Sequence, residues 1–168
     1  VTFTFKKGKH RATPLYWLVW WPLFYNISVI KRRVIFSFSA KYELDNGDQE
    51  DVNKLFGLSF GRVHRNSVRF GWNYSPAVKK FFLYSYCYIN GKRLFSKLCE
   101  CVANRQYECS IVVSPKEYIF MVIQKDNNHV LGIEHISKGH RKKISWLLGP
   151  YFGGNKSAPS LMKLKLSK

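Results

Sequence analysis

Ser67-Val68-Arg69-Phe70-Gly71-Trp72-Asn73-Tyr74, followed by Phe81-Phe82-Leu83-Tyr84-Ser85-Tyr86-Cys87-Tyr88, decides how the chain is read. Side chains alternate along a strand, so each segment sorts into two faces. Val68, Phe70, Trp72 and Tyr74 share one face, and Ser67, Arg69, Gly71 and Asn73 the other. In the second segment Phe81, Leu83, Ser85 and Cys87 oppose Phe82, Tyr84, Tyr86 and Tyr88. One face of each strand suits a core. The opposite face carries Ser, Arg, Asn and a row of tyrosines, an unusual set for plain solvent, and is the candidate site.

Outward from this centre, short alternating or apolar runs are separated by turn residues. That pattern predicts an all-β chain of about a dozen short strands, as in a sandwich or barrel. Strands are expected at 2–5, 16–21, 34–42, 55–60, 67–74, 80–89, 94–102, 108–113, 118–124, 129–135, 144–148 and 161–166. Asn90-Gly91 is a two-residue hairpin signal, because both central residues need positive φ. Asn46-Gly47 and Asp126-Asn127-Asn128 mark further turns. No internal repeat or low-complexity linker divides the chain, so residues 1–168 are read as one domain.

The formal net charge is +18, and it is unevenly spread. Residues 1–40 hold seven Lys or Arg and no acid; residues 138–168 hold eight and no acid. Five of the ten acids (Glu43, Asp45, Asp48, Glu50, Asp51) fall in one short stretch. This balance favours a polyanionic partner: an acidic polysaccharide, a nucleic acid or an anionic surface. No RNA-recognition, KH, zinc-finger or helix-turn-helix signature is present, which disfavours nucleic acid. Leu15 to Ile30 is nearly apolar, but it falls short of the roughly 20 residues of a span and contains Pro22, Asn26 and Ser28. It is read as buried strands with an aromatic loop. Trp17, Trp20, Trp21 and Tyr16 either pack in the core or form a platform for sugars or a partner. Three tryptophans so close together cannot all point inward from one strand.

The four cysteines (Cys87, Cys99, Cys101, Cys109) lack paired zinc-ligand spacing and are read as buried free thiols. The acidic stretch 45–51 is dense in oxygen ligands but does not fit EF-hand spacing, and it is read as a solvated loop. No metal or cofactor is expected.

Lys54-Leu55-Phe56-Gly57-Leu58, Gly61, Ser67-Val68-Arg69-Phe70-Gly71-Trp72 and Tyr84-Ser85-Tyr86, in that order, resemble the middle of family fourteen polysaccharide lyases. These are alginate or glucuronan lyases with a concanavalin-like β-jelly roll. Phe56 stands where that family has proline, and Val52-Asn53 where it has two glycines. Tyr151-Phe152-Gly153-Gly154-Asn155 with Ala158-Pro159 is similar to the closing segment of concanavalin-like glucanase sandwiches. The resemblance implies a two-sheet antiparallel sandwich acting on an acidic polysaccharide or oligosaccharide. It places catalytic weight on Lys54, Ser67, Arg69, Tyr84 and Tyr86.

A uronate lyase removes the C5 proton and expels the 4-linked oxygen, so the developing carboxylate dianion needs cationic or hydrogen-bonding partners. Arg69 and Lys54 suit that role. Tyr84 or Tyr86 would serve as acid or base, with a nearby cation lowering a phenol pKa otherwise near about 10. His64 is a competing base. Asn66, Asn73 and Tyr88 are candidate sugar-binding residues. The alternatives are a lectin-like binding sandwich using the same face and, third, a non-specific polyanion binder. A polysaccharide substrate suggests a secreted or periplasmic protein.

Overall fold

Strands β1 (Thr2–Phe5), β12 (Met162–Ser167), β3 (Val29–Phe36), β8 (Tyr107–Val113), β9 (Glu117–Gln124) and β10 (His129–Ser137) hydrogen-bond in that order into one sheet. Strands β2 (Leu23–Tyr25), β11 (Ile144–Leu148), β4 (Asn53–Ser59), β5 (Ser67–Ser75), β6 (Lys80–Ile89) and β7 (Lys92–Cys101) form a second. Every strand pairing is antiparallel. The computed structural model describes the backbone of residues 1–168 and every side chain but that of Asn46. Asn46, half of the expected Asn46-Gly47 turn, therefore lies outside the described side chains. No helix is long and apolar enough to cross a membrane among the described residues.

The two sheets face each other across an aromatic core. Phe70 on β5 meets Phe120 on β9 with ring centroids 5.1 Å apart. Phe36 on β3 stacks on Phe81 of β6 at 4.6 Å and touches Trp72 at 5.3 Å. Each of these rings is buried, and burying such a side chain stabilises the fold by on the order of 2 kcal/mol. Val68, Phe70, Trp72 and Tyr74 all lie in this core, as do Phe81, Leu83 and Cys87. Phe82, Tyr84 and Tyr86 form a separate cluster with Val52 on the opposite face of the second sheet. The Asn90-Gly91 hairpin turns as expected, with φ of 52° and 88°.

Two expected strands fold otherwise. The segment 16–21 is not a strand: Tyr16–Val19 forms one helical turn, α1, closed by the Trp20 N–H donating to the Tyr16 carbonyl at 3.2 Å. The turn brings Tyr16 and Trp20 together at 4.6 Å, and the Arg32 guanidinium lies 4.7 Å from the Trp20 ring centroid. Both rings are buried while Trp17 and Trp21 stay exposed. The expected strand 34–42 ends at Phe36, and Phe38–Ala40 forms a 3₁₀ turn. The Ser37 hydroxyl donates to the Lys163 carbonyl at 2.6 Å and the Lys163 N–H to Ser39 Oγ at 3.1 Å. Side chains thus replace ladder bonds at this point, and Phe38 is 63% exposed instead of facing the core. The acidic stretch likewise winds into a 3₁₀ turn, Asn46–Glu50.

Candidate functional site

Lys54 reaches the tyrosine face because β4 is irregular. Lys54 pairs with Gly71, but Phe56 pairs with Phe70, so Leu55 is an extra residue in the ladder. Such a bulge re-aims the side chains on either side of it. Leu55 and Phe56 both enter the core, and Lys54 is left on the face of Arg69. On β5 and β6, Arg69 pairs directly with Tyr86, Ser67 with Tyr88 and Gly71 with Tyr84. Direct partners share a face, so three strands deliver Lys54, Arg69 and Tyr86 to one place.

Their geometry is a cationic pair around one ring. Lys54 Nζ lies 4.6 Å from the Tyr86 ring centroid and Arg69 Cζ lies 5.4 Å from it. Lys54 Nζ also donates to the Val52 carbonyl at 2.6 Å. Arg69 is only 8% exposed, and its buried Nε has no hydrogen-bond partner. An unpaired buried donor is costly, and the Arg69 side chain that carries it lines the adjacent groove. Gly57 clears the space behind it: a Cβ there would stand 2.6 Å from Arg69 Cα and 2.7 Å from its Cγ.

The three residues open onto a groove of about 650 Å³. Its other walls come from residues 11–17, from Val63 and His64, and from 147–151. Tyr151 is held beside Lys54 by reciprocal backbone bonds, Lys54 N–H to Tyr151 O at 2.8 Å and Tyr151 N–H to Lys54 O at 3.0 Å. The His10 ring stacks on Tyr151 at 5.3 Å. Gly153 permits this approach, since its Cβ would stand 2.6 Å from Lys54 Nζ. Among the described residues no acidic residue lines the groove. Among the described residues no group of His, Cys, Asp or Glu is arranged to hold a metal ion.

Electrostatics divides the roles of these groups. Burial, reinforced by the neighbouring Arg69 charge, pulls the Lys54 pKa down to about 8. Burial also lowers that of Arg69. Tyr86 does not have the lowered phenol pKa expected of it: burial and Tyr88 raise it, and Arg69 and Arg93 only partly offset them. Its cations sit over the ring face, and at neutral pH it is a phenol able to donate a proton. Burial raises Tyr84 as well, and its hydroxyl donates to Asn73 Oδ1 at 3.3 Å.

The remaining candidates scatter. His64 lines the groove from an exposed turn and meets Tyr88 edge-on at 5.1 Å. Ser67 is fully buried, its hydroxyl without a partner, and does not line the groove. Asn66 is buried too; its side-chain oxygen accepts the Asn90 N–H at 3.2 Å and so secures the hairpin instead of lining the groove. Tyr84, Asn73 and Tyr88 lie along the same face of the sheet, beyond the groove lining. Tyr151 lines the groove, with His10 stacked on it, and neither was anticipated as a site residue, although the Gly153-Gly154 pair beside Tyr151 was the available signal; Trp17, read from the sequence as either core or platform, lines the groove as well. The face continues across the sheet: Ser67 pairs with Ser59, Ser59 with Trp146, and Trp146 with Leu23. Trp146 and Tyr25 are exposed there.

No family model matches the chain, and no curated protein matches it. Solved structures do. Alginate lyase AlyC3 in complex with dimannuronate superposes with a TM-score of 0.58 at 12% identity, covering 99% of this chain and 72% of that one. A functionally unknown protein from Saccharomyces cerevisiae gives 0.57 at 14% identity, covering 87% of this chain and 69% of that one. The scytalido-glutamic peptidase gives 0.50 at 6% identity, over 88% of this chain and 73% of that one. The fold is a concanavalin-like jelly roll. At these identities the likeness extends to the fold alone.

Proposed function

We propose that the chain is a carbohydrate-active sandwich that binds an acidic polysaccharide in this groove and cleaves it by β-elimination, in the manner of the family fourteen lyases it resembles. One observation carries the reading: Lys54 and the unpartnered Arg69 converge on Tyr86 in a groove with no acidic lining. Glycoside hydrolysis by the usual route needs two carboxyl groups flanking the bond, and among the described residues none lines this groove. A uronate carboxylate is the complementary ligand for its cations. The alginate lyase of the same fold, solved with dimannuronate, supports the choice of substrate class.

In this mechanism Arg69 and Lys54 hold the carboxylate and stabilise the negative charge that grows on it as the C5–H bond breaks. The His64 imidazole accepts that proton. The C4–O4 bond then breaks, a C4–C5 double bond forms, and the Tyr86 phenol protonates the leaving oxygen. Tyr86 enters as the acid because burial keeps it protonated at neutral pH and its ring lies beside both cations that hold the carboxylate. A polysaccharide substrate would place the protein outside the cytoplasm.

A second reading, a lectin-like module without catalysis, is favoured by the exposed Trp146 and Tyr25 on the same face, since exposed aromatic rings stack on sugars without doing chemistry. Ultraviolet absorbance of alginate, glucuronan and pectate incubated with the protein separates the two. Rising absorbance that Tyr86→Phe and Arg69→Ala abolish, with folding intact, establishes the lyase. A flat trace with measurable binding leaves the binding module.

A further inference from the structure

The connector between β10 and β11, residues 138–143, carries Lys138, Arg141, Lys142 and Lys143. It is fixed at several points. The Lys138 N–H donates to the Lys116 carbonyl at 2.7 Å, and the Asn26 N–H donates to the Lys143 carbonyl at 2.8 Å. Between them the Tyr118 hydroxyl and His140 Nε2 are 2.6 Å apart, and the His140 ring packs on Phe60 at 4.6 Å. Gly139 sits so close to the β6–β7 hairpin that a Cβ would be 2.6 Å from the Asn90 side-chain nitrogen.

This anchored connector borders a second cavity, of about 560 Å³. Lys116, Lys138, Arg141, Lys142 and Lys143 line it with the hydroxyl-bearing Ser28 and Ser114, and among the described residues no acidic one does. None of these five cations forms a salt bridge among the described residues. Like charges gathered in one cleft repel one another, and a multivalent anion relieves the repulsion. Lys138 is the most constrained: its ammonium donates to the Ser114 carbonyl at 3.3 Å and lies 5.5 Å from the Phe60 ring centroid.

The cleft also borders the candidate site. The loop 61–66 carries His64 into the groove, and at its start a Cβ on Gly61 would be 2.9 Å from Lys142 Nζ. One loop therefore separates two basic cavities. The aromatic residues at the second, Phe60 and Tyr118, are buried, so they present no open ring face on which a nucleobase could stack as single-stranded nucleic acids require.

We propose that this cleft is a second binding site for acidic polysaccharide, taking carboxylate or sulfate groups of a chain that continues past the groove. The choice of a glycan rests on the function proposed for the groove; the affinity for an oxyanion does not. Backbone amide shifts, followed by NMR while a heparin hexasaccharide is titrated into the intact chain, test it. Amides of 114–116 and 138–143 should shift. The double variant Arg141→Ala/Lys142→Ala, both at exposed positions, should weaken that response about tenfold, and Arg69→Ala should leave it in place. No shift at the connector, or shifts that the double variant retains and Arg69→Ala removes, would overturn the second site. A single-stranded DNA oligonucleotide shifting the same amides at lower concentration would overturn the glycan assignment. Connector shifts with a silent groove around Lys54, Arg69 and Tyr86 would support the cleft and sink the groove's proposed function instead.

Discussion

The Lys54 ammonium stands 4.6 Å from the centre of the Tyr86 ring, so the phenol that would donate a proton is also the shelf for a cation that would bind substrate. The two roles separate by substitution. Tyr86→Phe keeps the ring and its attraction for Lys54 and Arg69 but removes the hydroxyl. Cleavage of a polyuronate should fall by about 100-fold or more in kcat, with KM changed less than threefold. Tyr86→Ala should lose affinity as well. Steady-state absorbance kinetics check both, and equal kcat for wild type and Tyr86→Phe would remove Tyr86 from the chemistry.

Lys54 sets a pH dependence. Its folded pKa is about 8, so it is charged at pH 7 and mostly neutral by pH 9.5. Affinity for a polyuronate oligosaccharide should decline several-fold over that interval, and Lys54→Arg, which stays charged, should flatten the decline. The stability effect has the opposite sign. Between about 8 and the ordinary lysine value of 10.5 the unfolded chain binds the proton that the folded chain has lost, so this residue's contribution to stability rises with pH. Calorimetric titration across the range checks the binding limb; an equally steep decline in Lys54→Arg would assign it to another group.

Gly57 tests the floor of the site. A methyl group there would overlap the Val68 carbonyl oxygen and press on Arg69, between two paired strands that cannot separate without losing ladder bonds. Gly57→Ala should cost about 1–3 kcal/mol, read as a thermal midpoint several degrees lower. An unchanged midpoint would mean that β4 and β5 accommodate the methyl group.

The alternation in β5 and β6 was legible because a period of two is unaffected by what surrounds it, and Arg69 duly pairs with Tyr86. Lys54 was legible only through a resemblance. The bulge at Leu55 adds one apolar residue to an apolar run, and neither composition nor periodicity marks it. Tyr16 to Trp21 looked like a strand because one helical turn is too short to show a period. Its i, i+4 link between Tyr16 and Trp20 depends on Arg32, supplied from β3. Tyr151 lies far along the chain from Lys54, and only the backbone bonds between them reveal that they are neighbours. Asn66 illustrates the reverse error: its polarity serves the hairpin that follows.

The thiols should be silent. Cys87, Cys101 and Cys109 are buried, none of the four cysteines is in a disulfide, and burial pushes the Cys87 pKa up to about 12. Ellman's reagent should label at most the half-buried Cys99 in the native protein and all four cysteines after denaturation. Rapid labelling of more than one native thiol would contradict the packing between the sheets.

His140 should make the fold acid-sensitive. Its Nδ1 accepts the Lys142 N–H at 3.1 Å, so the neutral ring carries its proton on Nε2 and donates it to the Tyr118 oxygen. Burial, with Lys138 and Lys142 adding like charge, lowers its pKa from 6.5 to about 4. The unfolded chain therefore binds the extra proton between about 4 and 6.5. The stability contributed by the neutral ring is complete above the upper value and is lost as pH falls toward the lower one. Carboxylates titrate in the same window, so the readout is a difference. The thermal midpoint should drop further between pH 7 and pH 4.5 in the wild type than in His140→Gln, whose side chain does not titrate. Parallel slopes would show that protonating His140 costs the fold nothing, and that the Tyr118 contact is not what holds the connector.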